Sequence, residues 1–229
     1  MTASPSYVEL AKLIDHSLLA PTLLDDELAA GCSLAREYDV ASVCILPFFM
    51  RRCAEILAGS GVVPSTTIGF PHGGQATAVK LNESRVAISD GARELDMVVN
   101  VGKVKSGDFA YVRAELAAVI DEAHAHGCKI KVIFETCYLS EDEKIRLCEL
   151  CSELSADWAK TSTGFGPAGA TLEDLRLMRA RCAPQVQIKA SGGIRELDFI
   201  LAARAIGVTR VGSSRTREIL ADARRRLGG

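Results

Sequence analysis

Eight short runs rich in β-branched and other apolar residues alternate with longer helical stretches, and this alternation restricts the fold more than any other feature of the chain. The runs lie near Lys12 to Ser17, Ala41 to Leu46, Val63 to Gly69, Leu95 to Val101, Lys129 to Glu135, Asp157 to Thr161, Gln185 to Ala190 and Thr209 to Gly212. Neighbouring parallel strands need a crossover of about a dozen residues or more, and an intervening helix supplies it. Ser140 and Glu143 have the spacing of a capping box and predict a helix from Ser140 to Ser155. Thr22 to Asp25 and Thr171 to Asp174 repeat that spacing and predict two more helix starts. Ala76 to Asp90 and Phe109 to His126 carry apolar residues at helical intervals. Gly91, Gly127 and Gly207 then stand where helices should stop before the next strand. Eight such units within 229 residues predict an α/β fold, a (β/α)8 TIM barrel forming one catalytic domain over 1–229. The competing doubly wound sheet would call for a Gly-x-Gly-x-x-Gly turn after an early strand, and the sequence has none there.

Composition narrows the partners. A net charge of -2 gives no generally basic surface for nucleic acid or anionic membrane, so a small-molecule substrate is expected. No apolar stretch approaches the roughly 18 residues of a membrane span, and Met1 to Tyr7 lacks the charged and apolar regions of a leader, which together predict a cytoplasmic protein. Eight cysteines are dispersed among apolar neighbours and read as free thiols. Cys148 and Cys151 have a metal or redox spacing, but they share an apolar helix face with Ile145, Leu147 and Leu154, so core packing is the expectation and no metal is expected.

Chemistry concentrates at the strand ends. Asp157-Trp158-Ala159-Lys160 and Gln185-Val186-Gln187-Ile188-Lys189 each drive a lysine into a strand otherwise fit for burial. A desolvated ammonium tends to lose its proton, and a second cation nearby pushes the same way. One βα unit separates Lys160 from Lys189, so they should end neighbouring strands. The pair predicts an amine nucleophile capable of forming an imine. Strand alternation places Asp96, Val98 and Asn100 on one face, so Asp96 and Asn100 are expected to point inward together, with Asp96 able to hold the other lysine charged and shuttle a proton. The rest of the strand-end inventory is Asp15, His16, Cys44, Lys131, Glu135, Thr161, Thr163, Ser191, Gly212, Ser213 and Ser214. Cys44 could line the pocket or fill core space. Ser191-Gly192-Gly193-Ile194 and Gly212-Ser213-Ser214-Arg215, after the seventh and eighth strands, have the small residues and free backbone N–H groups of a barrel phosphate site, and Thr163-Gly164 could add to it. At this level three readings stand: an imine-forming aldolase, a phosphosugar isomerase or epimerase using Asp96 as base, and a phosphosugar-binding protein without turnover.

Longer motifs separate them. Leu13-Ile14-Asp15-His16-Ser17-Leu18-Leu19, Glu94-Leu95-Asp96-Met97-Val98-Val99-Asn100-Val101-Gly102, Glu135-Thr136-Cys137-Tyr138-Leu139, Lys160-Thr161-Ser162-Thr163-Gly164-Phe165-Gly166 and Lys189-Ala190-Ser191-Gly192-Gly193-Ile194 together resemble the deoxyribose-phosphate aldolases, a class I family, over nearly the whole chain. The resemblance implies reversible cleavage of 2-deoxy-D-ribose 5-phosphate to D-glyceraldehyde 3-phosphate and acetaldehyde, without metal or cofactor. It implies Lys160 as the Schiff-base residue, Asp96 and Lys189 as its proton relay, and Asp15 in support. Cys44, Thr163, Gly164, Gly192, Gly193, Gly212, Ser213 and Ser214 are the implied substrate and phosphate contacts. A homo-oligomer, dimer or higher, is expected, since outer barrel helices often bury a subunit face. The chain departs from the family pattern at Ser17, at His72 and at Arg215, which could reach the phosphate or solvent. Its Arg224-Arg225-Arg226 run suits a solvated helix end.

Overall fold

Each of the eight runs forms a strand in a computed structural model of the chain, which describes residues 5–227. Met1 to Ser4, and Gly228 and Gly229, lie outside the described residues. The strands are β1 Ile14–Leu18, β2 Ser42–Ile45, β3 Val63–Ile68, β4 Glu94–Val98, β5 Lys129–Ile133, β6 Trp158–Lys160, β7 Gln187–Ser191 and β8 Val208–Ser213. They pair in parallel, in sequence order, and β8 returns to β1, so the described residues close a barrel with a helix in each crossover. An open doubly wound sheet is thereby excluded.

Two-residue alternation divides every strand between the helices and the lumen. Outward residues such as Ile14, Val43, Ile45, Ile68, Leu95, Met97, Ile130, Val132, Ile188 and Val211 join Leu28, Leu116, Leu147 and Leu220 of the helices in one apolar core. The alternate residues face a lumen that is unusually polar for this architecture. Asp15, Ser42, Ser65, Asp96, Lys131, Lys160 and Lys189 are buried there, although barrel interiors are ordinarily filled by branched apolar side chains. Lateral register explains the clustering, because Asp96 pairs with Lys131 and Lys160 pairs with Lys189 across adjacent strands.

Local signals account for most helix ends. Ser140 and Glu143 form the expected box ahead of helix Glu141–Glu153, and Thr171 accepts from Asp174 N at the start of helix Leu172–Arg181. The third expected start is displaced. Helix Asp25–Glu37 begins after Leu24, whose N–H is taken by the Glu27 carboxylate at 2.9 Å, so Thr22 lies outside the helix and provides no cap. Gly91, Gly127 and Gly207 all adopt positive φ at or next to helix ends, as their placement requires. Cys148 and Cys151 are packed into the apolar core as free thiols, and Arg224 to Arg226 fall in the last turn of helix Thr216–Leu227. No helix among the described residues is long and apolar enough to cross a membrane.

Candidate active site

The C-terminal ends of the strands surround a cavity of about 500 Å3. Lys160 reaches it from β6 while remaining only 2 % exposed. Beneath the floor, Asp96 Oδ2 accepts hydrogen bonds from both Lys160 Nζ and Lys189 Nζ, each at 2.7 Å. Its other oxygen, Oδ1, accepts from Lys131 Nζ at 2.7 Å and from Ser65 Oγ at 3.4 Å. Asp96 is therefore fixed at both oxygens, with Oδ2 directed toward the two lysines nearest the cavity.

A second buried carboxylate makes those two lysines unequal. Asp15 lies 2.5 Å from Lys189 Nζ and also pairs with the Arg210 guanidinium, which continues to Glu94. Glu94 in turn lies 2.6 Å from Lys131 Nζ. The Lys189–Asp15 and Lys131–Glu94 contacts are both short and join buried, oppositely charged groups. Burial disfavours the charged form of Lys189, but Asp15 and then Asp96 outweigh it and hold its pKa above the usual lysine range. Lys160 goes the other way. Burial and the Lys189 charge depress its pKa, with Asp96 only partly opposing them. Asp96 itself resists its own burial because Lys131, Lys160 and Lys189 keep it well below the ordinary carboxylate range. The result is a desolvated amine that binds a proton weakly, beside an ammonium that binds one firmly, with one carboxylate oxygen between them.

The cavity walls divide by chemistry. Leu18, Leu19, Ala20 and Leu23 from the β1 loop give an apolar side, joined by Phe165. Opposite are Thr163, Gly164, Gly192, Gly193, Gly212, Ser213 and Ser214. Gly192 and Gly193 take φ of +88° and +74°, and a Cβ on Gly169 would lie 2.1 Å from the Gly192 carbonyl oxygen, so small residues are compelled in this turn. Among the described residues, the backbone N–H groups of Gly192, Gly193, Ile194 and Ser214 donate to no protein acceptor. Backbone N–H groups arranged in this way are able to bind an anion. Ser213 is braced instead, with its Oγ donating to Ile194 O at 2.8 Å and accepting from Arg215 N at 3.1 Å. At Gly212 a Cβ would press on Ser191 Cβ at 3.1 Å and approach Lys189 Cε at 3.6 Å, so the bare backbone leaves room for Lys189.

Other expected positions are placed differently. Asn100 is not in the lumen: β4 ends at Val98, and the Asn100 side chain accepts from Lys103 N to cap helix Val101–Lys105. Its amide oxygen shares the Lys103 N–H with the Asn100 carbonyl at the start of that helix, which ends the strand alternation early. Cys44 lies below the cavity, with Sγ 3.9 Å from Asp96 Oδ2, and burial followed by the Asp96 charge raises its thiol pKa. His16 faces the helices, hydrogen-bonds Thr216 Oγ1 and is pushed down to about 4 by burial. Arg215 turns to Glu218 at 2.8 Å and away from the cavity. His72 is exposed. Residues that the sequence reading did not single out are Glu94, Ser65 and Arg210 in the lumen and Arg195 at the cavity rim. Glu94 stands two before Asp96, and Arg210 two before Gly212, so the same period-two rule that placed Asp96 would have found both.

Comparison with known proteins places this arrangement. The model of the DeoC/LacD family aldolases matches residues 10–213. The chain belongs to that family. A deoxyribose-phosphate aldolase of Rhodopirellula baltica is 56 % identical over 226 residues, covering 99 % of this chain and 94 % of the relative. The crystal structure of a putative deoxyribose-phosphate aldolase from Coccidioides immitis superimposes with a TM-score of 0.93 at 35 % identity, over 97 % of this chain and 88 % of that one. A deoxyribose phosphate aldolase from Aeropyrum pernix, described as tetrameric, superimposes with a TM-score of 0.88 at 26 % identity, over 95 % and 92 % of the two chains.

Proposed function

We propose that this aldolase cleaves 2-deoxy-D-ribose 5-phosphate reversibly to D-glyceraldehyde 3-phosphate and acetaldehyde through an imine on Lys160. The observation that carries the proposal is the shared Asp96 Oδ2, which puts a depressed-pKa amine next to a firmly held ammonium at the floor of a phosphosugar-sized cavity. Lys160 Nζ attacks C1 of the open-chain aldehyde, and loss of water from the carbinolamine gives the imine. The protonated imine accepts the electron pair released when the C2–C3 bond breaks. Glyceraldehyde 3-phosphate departs, and the two-carbon enamine is protonated and hydrolysed to acetaldehyde and free Lys160. Lys189 and Asp96 deliver and retrieve protons in these steps, and Asp15 keeps Lys189 charged.

The phosphate sits against the free N–H groups of Gly192, Gly193, Ile194 and Ser214, with Thr163 and Gly164 nearby. Arg195, exposed at the cavity rim, supplies a cation there in place of Arg215. The chain acts as one catalytic barrel over 1–229, in a homo-oligomer and in the cytoplasm, with Cys44 tuning the relay from beneath. Release of glyceraldehyde 3-phosphate from deoxyribose 5-phosphate in a coupled assay tests the reaction. Borohydride reduction with acetaldehyde tests the intermediate, because it should fix a two-carbon unit on Lys160. Turnover that survives Lys160→Arg would defeat the imine and favour base-catalysed isomerisation.

A further inference from the structure

The ionisable side chains of the lumen do not balance in charge. Lys131, Lys160, Lys189 and Arg210 face Asp15, Glu94 and Asp96, leaving one cation in excess when all are ionised. The remaining strands change nothing in this sum. β2 contributes Cys44, whose burial keeps it a neutral thiol, and β3 contributes the hydroxyls of Ser65 and Thr67. Outside the wall, Lys80 and Glu115 form a buried pair that balances itself at 2.9 Å, and His16 points to the helices. Glu135 lies past the end of β5, where Thr163 Oγ1 and N donate to it, and among the described residues it pairs with no lumen cation.

An uncompensated charge in a desolvated site is expensive enough that one group gives up its proton. Arg210 cannot be that group, because a guanidinium does not deprotonate in proteins. Lys131 contacts Asp96 and Glu94, and Lys189 contacts Asp15 and Asp96. Lys160 has Asp96 alone, and shares that oxygen with Lys189. Deprotonation of Lys160 leaves three cations against three anions. Arg210 is thus an indirect determinant of the site. It lies outside the cavity lining, bridges Asp15 to Glu94, and is held by stacking over Trp158 at 5.1 Å, whose Nε1 donates to Thr209 at 3.0 Å.

We infer that Arg210 and Glu94 are positioning residues that set the charge count of the lumen, and that this count, more than any single neighbour, keeps Lys160 a free amine. The inference rests on Lys160 being the imine-forming residue. If the count governs, deleting the Arg210 charge balances the lumen with Lys160 protonated. Deleting the Glu94 charge raises the excess to two cations. Deleting both restores the excess of one. A packing role for Arg210 makes the opposite forecast for the last case, since the double variant then loses two contacts instead of one.

The test is the pH dependence of the rate at which acetaldehyde and cyanoborohydride fix mass on Lys160 in the full-length enzyme. Arg210→Met should move the midpoint toward alkaline pH by about one unit, a tenfold loss of free amine below the midpoint. Arg210→Lys should stay near the parent, Glu94→Gln should move it toward acid, and Arg210→Met with Glu94→Gln should return it. An unmoved midpoint in Arg210→Met, or a double variant as displaced as that single one, would overturn the inference. If Arg210→Met does not fold, Glu94→Gln decides: an acid shift supports the charge count and an unchanged midpoint refutes it. Absence of mass on Lys160 in the parent enzyme would instead remove the imine reading beneath it, a distinguishable failure.

Discussion

Lys160 and Lys189 donate to the same oxygen atom of Asp96, yet their proton affinities are shifted in opposite directions, Lys160 downward by burial and Lys189 upward because it alone also meets Asp15. Two lysines in adjacent register positions would otherwise share the proton deficit. The second carboxylate breaks that symmetry, which under the proposed mechanism suits one amine to attack and the other to proton delivery.

Replacing Lys160 by Met is expected to abolish turnover by roughly 10³-fold or more, because among the described residues no other lysine lines the cavity. It is also expected to leave the fold at least as stable, since Lys131, Lys189 and Arg210 still balance Asp15, Glu94 and Asp96, and an apolar chain of similar length fills the space. Equilibrium unfolding in urea checks this. A loss of several kcal/mol would mean that Lys160 is held as a fully compensated cation.

Acid stability should follow the carboxylates. Asp15 and Asp96 have folded pKa values below the 3.8 of an unperturbed aspartate, with the lysines and Arg210 overcoming their burial. Their contribution is complete above that value, and falls away as pH drops below it toward the folded values. Lys189 and Lys131, raised above 10.5 by the same carboxylates, contribute fully below 10.5 and lose that contribution as pH rises through their folded values. Lys160, being lowered, has the opposite sign: the unfolded chain binds its proton more tightly, so stability rises with pH between its folded value and 10.5. Thermal midpoints measured across pH should therefore fall below about pH 4, where the unfolded aspartates begin to take up protons. Asp96→Asn should shrink that acid-side slope, and an unchanged slope would show that Asp96 is not held ionised.

Barrel topology and the floor of the site were legible in the sequence because both depend on strand alternation and strand order. Lys160 and Lys189 were placed as buried strand-end residues one βα unit apart, Asp96 by period-two alternation, and the helix-ending glycines marked three crossovers. Asn100 failed because a local cap, its Oδ1 accepting from Lys103 N, competes with the strand and ends it two residues earlier. Thr22 failed for a related reason, since Glu27 reaches back to Leu24 N and defines the helix start without a hydroxyl. Arg210 and Glu94 could be seen as lumen-facing, but their pairing spans β8 and β4, across the barrel from one another. No local pattern encodes a contact that exists only once the barrel closes.

Lys131 ties three strands together, with Nζ near Asp96, Glu94 and Ser65, and has no access to the cavity. Lys131→Met leaves two buried carboxylate oxygens without their cation. A loss of about 3–5 kcal/mol in unfolding free energy is expected for breaking a buried pair from one side. A cost under about 1 kcal/mol would mean that water or a rearranged Arg210 replaces the ammonium.

Glu135 braces the cavity wall through Thr163. It takes a left-handed conformation at φ 47° and accepts from the Thr163 hydroxyl and backbone N–H, while Thr163 Oγ1 accepts from Phe165 N at 3.0 Å. A non-glycine residue held there stores strain that the Thr163 contacts must offset. Glu135→Gln keeps the shape and weakens the charge-assisted bonds, so kcat/KM is expected to fall about tenfold, consistent with one such bond. Glu135→Ala should cost more, by releasing Thr163 to Gly166. Steady-state kinetics of the two variants distinguish this from a packing role, which would spare Glu135→Gln.

Arg195 provides the sharpest separation between phosphate binding and chemistry. It lines the cavity rim next to Gly192 and Gly193, is exposed, and has no ion-pair partner among the described residues, whereas Arg215 is committed to Glu218. An exposed cation at the mouth adds Coulombic attraction for a phosphate dianion, screened by salt, to the backbone donors already aimed at it. Arg195→Ala is therefore expected to raise KM for deoxyribose 5-phosphate about tenfold at low ionic strength, with little change in kcat. The effect should shrink as salt is added and vanish for unphosphorylated deoxyribose. Arg215→Ala should change neither parameter, because its guanidinium already points away to Glu218. Equal losses for phosphorylated and unphosphorylated sugars in Arg195→Ala would show that Arg195 shapes the loop rather than meeting the phosphate.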